Sequence, residues 1–224
     1  MMTLYHGSER IISRPFYGGG SIHNDYGMGF YCTEHIELAK EWASKGTGQS
    51  FVNKYSFTIE GLKVLNLLED RFSVLNWLAI LLDNRVFAIR SPGGIRARDY
   101  MLNEFLPDYK KYDIIRGYRA DDSYFAFANV FLNGQISLRQ LSRAMMLGRL
   151  GEQIVLKSPN AFDHIRFMES IPVDSALNGE KRIRRDIQAR NAYSRLAADT
   201  PGQADIIMMD IVRNQWKDGD ERLR

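Results

Sequence analysis

Residues 25–42, DYGMGFYCTEHIELAKEW, decide how the rest of the chain is read. Gly27 and Gly29 bracket one residue just ahead of Phe30 and Tyr31, and apolar residues then recur at helical spacing: Ile36, Leu38, Ala39, Trp42 and Ala43. The pattern predicts a tight turn, a short strand and a helix that Thr33 or Glu34 starts. Glycines at such a turn let backbone come close to a ligand or to another strand, because they carry no side chain. Tyr31 then ends the strand at the mouth of a cleft, Trp42 lies further along the helix, and two flat rings can face one another across it. The competing reading packs Phe30, Tyr31 and Trp42 into the core, where aromatics at helical spacing usually go. His6, in the second glycine-flanked stretch Leu4-Tyr5-His6-Gly7-Ser8, favours the cleft.

Working outward, Met2 to His6 reads as a first strand. Residues 9–24, with three consecutive glycines and Pro15, read as a surface loop of the kind that often carries function. A helix over 34–45 is followed by strands over 51–59 and 63–66 and a helix over 70–86, whose Phe72, Leu75, Leu78, Ala79 and Leu82 share one face. Further on, a helix is predicted over 95–106 and a buried strand over 112–118, then a helix capped by Asp122 and stopped by Gly134 and another capped by Ser137. A strand over 153–157, a short helix over 159–164 and a strand over 166–171 complete the pattern. The tail changes character: residues 180–196 carry Lys181, Arg182, Arg184, Arg185, Arg190 and Arg195 against Glu180 and Asp186 on a predicted helix. That helix is either solvated or faces an acidic partner, nucleic acid phosphates or an inhibitor protein. The chain thus divides into a domain over 1–173 and a basic helical extension over 174–224 packed on it.

With 224 residues, 45% apolar and 25% charged, the composition is that of an ordinary globular chain. A net charge of +3 is too small to argue by itself for nucleic acid. Met1 opens a polar stretch with no charged and apolar leader, and the longest apolar run, around Trp77 to Leu82, falls far short of a membrane span. Cys32, the sole cysteine, excludes an internal disulfide and reads as a small buried hydrophobe, so the cytoplasm is the expected compartment. Neither metal-ligand spacing, a P-loop, nor Gly-x-Gly-x-x-Gly after a strand occurs, which argues against a metalloenzyme, a nucleoside triphosphatase and a doubly wound dinucleotide fold.

LYHGS followed by YGMGFYCTEHIELAKEWA resembles the first two motifs of the His-Tyr-Glu class of ADP-ribosyltransferases, the diphtheria-toxin and poly(ADP-ribose) polymerase group. That class has a His-Gly pair, then a Gly-x-Gly-x-Tyr-Phe-Ala stretch and a helix bearing a second aromatic. More narrowly, the chain resembles a bacterial family of uncharacterised transferase-like proteins regarded as toxins encoded beside small antitoxins. The resemblance covers most of residues 3–170. It implies an α+β fold, a split β core of two small sheets around an NAD cleft, with a helical insertion between the second and third motifs. It implies that NAD is consumed as co-substrate and that ADP-ribose passes to a macromolecular acceptor, protein or nucleic acid, with an antitoxin protein as a further partner. Two rival readings are a catalytically weak module that binds NAD or ADP-ribose, and an interaction protein whose basic tail docks its partner.

Breaking the nicotinamide–ribose bond resembles glycoside hydrolysis, since positive charge builds on the ribose as nicotinamide leaves. The protein must hold the nicotinamide flat, orient the ribose and set negative charge or a strong acceptor near the developing cation. The resemblance implies that nicotinamide stacks between Tyr31 and Trp42 while the backbone of Gly7 bonds its carboxamide and His6 bonds a hydroxyl of the adenine-side ribose. Ser8, Gly29 and Phe30 complete that set. The third task falls to Glu152 or Gln153, of which only one can look into the cleft because neighbouring strand residues point to opposite faces. Chemistry favours Glu152 and the motif favours Gln153; in the second case Asp121 or Asp122 stands by to supply charge. Arg14 and Arg119 are candidates for the pyrophosphate, since a guanidinium fork matches phosphate oxygens.

Overall fold

A computed structural model of the chain describes residues 1–44, 48–120, 122–145, 151–199, 202 and 204–223. The protein is α+β. Three strands, β1 (Met2–Ser8), β3 (Ser50–Phe57) and β7 (Ile165–Val173), form an antiparallel sheet in the order β1-β3-β7. Four more, β2 (Phe30–Cys32), β6 (Glu152–Leu156), β5 (Ile114–Tyr118) and β4 (Val64–Asn66), form a second sheet in the order β2-β6-β5-β4, with only β4 and β5 parallel.

Thr33 joins the two sheets. β2 pairs with β6 from Phe30 opposite Leu156 to Cys32 opposite Ile154. The chain then turns to β1: the Tyr5 amide donates to the Thr33 carbonyl at 2.8 Å, and the Thr33 amide to the Tyr5 carbonyl at 2.9 Å. A strand that changes partner in this way leaves an opening between the sheets just past the bridge. Because Thr33 is spent on the bridge and its hydroxyl accepts the His35 amide at 3.2 Å, helix α1 (Ile36–Ala43) starts two residues later than residue 34.

Two apolar cores lie on the two faces of the second sheet. One, between the sheets, holds Leu4, Tyr55 and Phe57 against Ile114, Ile154 and Leu156. The other is helical and centres on α2 (Val74–Asn84), which Ser73 and Asn76 start with a reciprocal cap. Every residue from Leu75 to Leu82 of α2 is buried, so the one-faced amphipathic helix expected from the sequence is in fact enclosed on all sides. Helices α3 (Pro92–Glu104), α4 (Asp122–Leu132) and α5 (Leu138–Met145) pack around it. Ser91 and Ser137 cap α3 and α5 through their hydroxyls, and Gly134, at φ +72°, follows the end of α4. A short helix, α6 (Pro159–Asp163), links β6 to β7. Burying each large side chain of these cores is worth about 1.5–3 kcal/mol.

The tail packs against the rest. Helix α7 (Ser175–Ala198) is longer than the expected 180–196 and is anchored at both ends. At its start the Ser175 hydroxyl meets Ser50 Oγ at 2.7 Å, and midway along it Arg185 meets Glu41 of α1 at 2.6 Å, with Glu41 almost fully buried. Near its end Tyr193 stacks on Phe127 of α4 at 3.8 Å, and the Gln140 amide of α5 donates to the Leu196 carbonyl at 2.9 Å. A last helix, α8 (Met208–Arg213), unexpected from the sequence, buries Met208 and Ile211 in the helical core. Among the described residues no helix is long and apolar enough to cross a membrane.

Candidate functional site

A cavity of about 660 Å³ opens beside the Tyr5–Thr33 bridge, between the end of β1, the start of β2, the end of α1 and the first residues of β6. His6, Gly7, Ser8, Gly29, Phe30, Tyr31, Trp42, Arg119 and Gln153 all line it. The sequence-predicted groups are thus brought together from four separate parts of the chain, and Tyr31 and Trp42 share one cavity beside His6.

Each is placed by a local cause. Tyr5 spends its amide and carbonyl on Thr33. By the period-two alternation of a strand, Gly7 turns its own amide and carbonyl to the same edge, where the cavity lies. A side chain at Gly7 would stand 2.0 Å from the Ala39 carbonyl oxygen, so β1 and α1 can touch only with glycine here. The His6 Nδ1 lies 2.7 Å from the Tyr31 carbonyl oxygen. A carbonyl can only accept, so Nδ1 carries the proton and Nε2 is left as an acceptor. Burial lowers the His6 pKa, which keeps the ring neutral, and the ring stacks on Phe30 at 4.4 Å. The Tyr31 hydroxyl donates to the Gly27 carbonyl at 2.6 Å and accepts from the Tyr26 amide at 3.0 Å, so it secures the glycine turn while its ring lines the cavity. Gly27 sits at φ +72°, which a residue with a side chain rarely adopts. Lys157 holds the same turn from behind, donating to the Tyr26 carbonyl and, at 2.7 Å, to the Met28 carbonyl. Trp42 lies under the Arg119 guanidinium, 5.2 Å from the ring centre, and its Nε1 is buried with no hydrogen-bond partner among the described residues.

Residues 9–24 close one side. Asn53 of β3 fastens the first part of that loop: its amide donates to Ser8 Oγ at 3.0 Å and to the Arg10 carbonyl at 3.1 Å, and its carbonyl accepts from Ile12 at 2.8 Å. Tyr55 adds a bond from its hydroxyl to the Ile12 carbonyl at 2.6 Å. Pro15 and Phe16 of this loop reach the cavity, but Arg14 is not among the residues that line it, and the expectation for Arg14 is corrected. The loop leads its cation in at Arg10 instead.

The strand β6 decides between its two candidates. Gln153 pairs across from Gly117 and is buried at the cavity; its amide donates to Asp25 Oδ2 at 3.0 Å and to the Tyr118 carbonyl at 3.1 Å. Glu152 takes the opposite face, where Arg116 Nε and Nη2 bind its Oε2 at 3.0 and 2.8 Å. The expectation that Glu152 serves the cleft is therefore corrected: the strand's alternation turns it out to Arg116. Asp121 and the side chain of Asp122 lie outside the described residues.

Three groups escape sequence reasoning. Asp25 is 7% exposed and lines the cavity, and its Oδ2 also accepts from the Ala120 amide at 3.0 Å. Burial raises its pKa, opposed by the Ala120 and Gln153 bonds and by Arg85 and Arg119. Arg85, at the end of α2, stands 4.0 Å from Asp25 Oδ1 and donates to the His23 carbonyl at 2.8 Å. Arg182 comes from α7. A carboxylate directly ahead of a glycine turn is the one signal that points to Asp25; Arg85 carries none, and Arg182 is visible only as part of the tail's basic run. Charged residues at the cavity wall are Arg10, Arg85, Arg119 and Arg182 against Glu9 and Asp25, an excess that suits an anionic ligand carrying phosphate.

No curated protein and no solved structure matches the chain significantly. A family model does match residues 2–167, which takes in both sheets as far as the third residue of β7. The chain belongs to the family described as "Protein of unknown function (DUF3990)".

Proposed function

We propose that this protein is an NAD-dependent ADP-ribosyltransferase. The observation that carries the reading is the convergence of His6, Gly7, Tyr31, Trp42 and Gln153 on one cavity lined by β1, β2, α1 and β6. In this reading the nicotinamide ring lies between Tyr31 and Trp42, and the outward amide and carbonyl of Gly7 bond its carboxamide. The neutral His6, with Nε2 as acceptor, takes a ribose hydroxyl proton into a hydrogen bond. Asp25 supplies the negative charge that Gln153 lacks, and Gln153 acts on the reaction by fixing the Asp25 carboxylate through its amide. As nicotinamide departs, the positive charge growing on the ribose is stabilised by Asp25 in a cavity where water screens it poorly. The acceptor is a macromolecule, protein or nucleic acid, and the cellular role is that of a toxin held by a small antitoxin protein.

Incubation of the purified protein and a bacterial extract with NAD labelled in its adenylate part tests this. Release of nicotinamide with label retained on a protease- or nuclease-sensitive product supports the reading. Unchanged NAD after hours, with neither release nor labelling, counts against it. Expression in bacteria tests the cellular role: growth arrest relieved by Tyr31→Ala supports a toxin, and arrest indifferent to that change opposes it.

One observation favours the rival of a silent binding module: the buried β6 residue at the cavity is Gln153, a neutral amide that supplies no charge where the class carries a carboxylate, and both its hydrogens are already engaged. Tight NAD binding without nicotinamide release selects that module.

A further inference from the structure

The helix α7 lies outside the residues that the family model matches, yet it forms part of the cavity wall. Its placement there is fixed. Asp174 caps it, accepting from the Leu177 amide at 3.0 Å, and the Ser175 hydroxyl meets Ser50 Oγ at 2.7 Å. Arg185 is bound to the buried Glu41, the residue before Trp42, and Asn178 is buried on the same side. One turn before Arg185, Arg182 therefore faces the end of α1 and enters the cavity. The Nε of Arg182 is shielded from solvent and has no hydrogen-bond partner among the described residues. A guanidinium half out of water with an unmet donor costs stability unless something anionic completes it. Arg119 and Arg85 reach the same cavity from the opposite elements; the buried carboxylates beside them are Asp25, in the cavity wall, and Glu41, which Arg185 already holds.

We propose that Arg182 is an anion-binding residue of this site, taking a pyrophosphate oxygen of the bound dinucleotide. Helix α7 thereby forms part of the binding wall, and the site is incomplete without it. The identity of the ligand rests on the ADP-ribosyltransferase reading; the anion site itself rests on the cavity and its cations. The basic tail then has a division of labour: Arg185 fastens the helix, Arg182 binds, and the exposed Arg184 does neither.

The test is titration calorimetry of the whole 224-residue chain with NAD, nicotinamide riboside and inorganic pyrophosphate, on wild type, Arg182→Gln, Arg182→Lys and Arg184→Gln. Arg182→Gln should weaken NAD and pyrophosphate roughly ten- to a hundredfold, the value of a charged hydrogen bond, and leave nicotinamide riboside, which lacks phosphate, within about twofold. Arg182→Lys should recover part of the affinity, since a point charge replaces a fork. Arg184→Gln should match wild type and reports any effect of lost charge alone. Thermal melts of the four proteins within a degree or two of each other exclude unfolding as the cause. NAD binding equal in Arg182→Gln and wild type overturns the inference and leaves the transferase reading standing. Wild type that binds pyrophosphate through Arg182 but not NAD overturns the transferase reading and supports the anion site. Wild type that binds none of the three overturns both.

Discussion

Burial holds the His6 imidazole neutral, and its pKa lies below the usual histidine value. The unfolded chain takes up a proton near pH 6.5, whereas the folded chain does so only at lower pH. Between those two values the unfolded state holds the extra proton, so stability falls as pH drops through 6.5. Urea midpoints at pH 7 and pH 5 should therefore differ more for wild type than for His6→Asn. Equal differences would show that His6 is not held neutral. Asp25 belongs to the same scale. Its pKa is raised by burial, so its ionised form is lost on acidification above the ordinary aspartate range, and nicotinamide release should fall through that pH. Asp25→Asn should reduce release roughly a hundredfold or more, in line with removal of one electrostatic group, with NAD affinity changed less than about threefold. Asp25 is not legible as a site group because Ala120, 95 residues further on, is what turns its carboxylate inward. The choice between Glu152 and Gln153 is closed to the sequence for a related reason: alternation gives two faces, and pairing with β5 decides which is the cleft.

Among the elements, β1 and α1 carry the tightest constraint. Gly7→Ala puts a methyl group 2.0 Å from the Ala39 carbonyl oxygen, and neither element can yield without disturbing the Tyr5–Thr33 bridge. We expect a loss of about 2–3 kcal/mol in urea unfolding together with loss of NAD binding. The strands and most helices are legible because their signals are local: alternation in β3, Ser73, Ser91 and Ser137 as caps, Gly134 as a stop. The enclosure of α2 is not local. Its Trp77, Ile80 and Leu81 interrupt a single apolar stripe, and only the helices wrapped around it explain why they are apolar. The late start of α1 likewise follows from a strand 28 residues away, whose Tyr5 claims the backbone of Thr33.

Across the whole molecule, α7 ties the α1 side of the cavity to the helical insertion. Arg185 on Glu41 and Ser175 on Ser50 hold it on one side, and Tyr193 on Phe127 with the Gln140–Leu196 bond on the other. Tyr193→Ala should cost about 2 kcal/mol through lost stacking and burial, seen as a lower midpoint of chemical unfolding. The tail's basic charge is visible in the sequence, but its partner is not: Glu41 lies 144 residues earlier and reads there as an ordinary helix surface residue. A crystal structure of the protein soaked with NAD would show whether this cavity holds the dinucleotide with its nicotinamide between Tyr31 and Trp42. The nicotinamide ring should lie between those two side chains, the pyrophosphate beside Arg119 and Arg182, and a ribose hydroxyl on His6 Nε2. NAD bound elsewhere, or the cavity empty at saturating NAD, would contradict that placement.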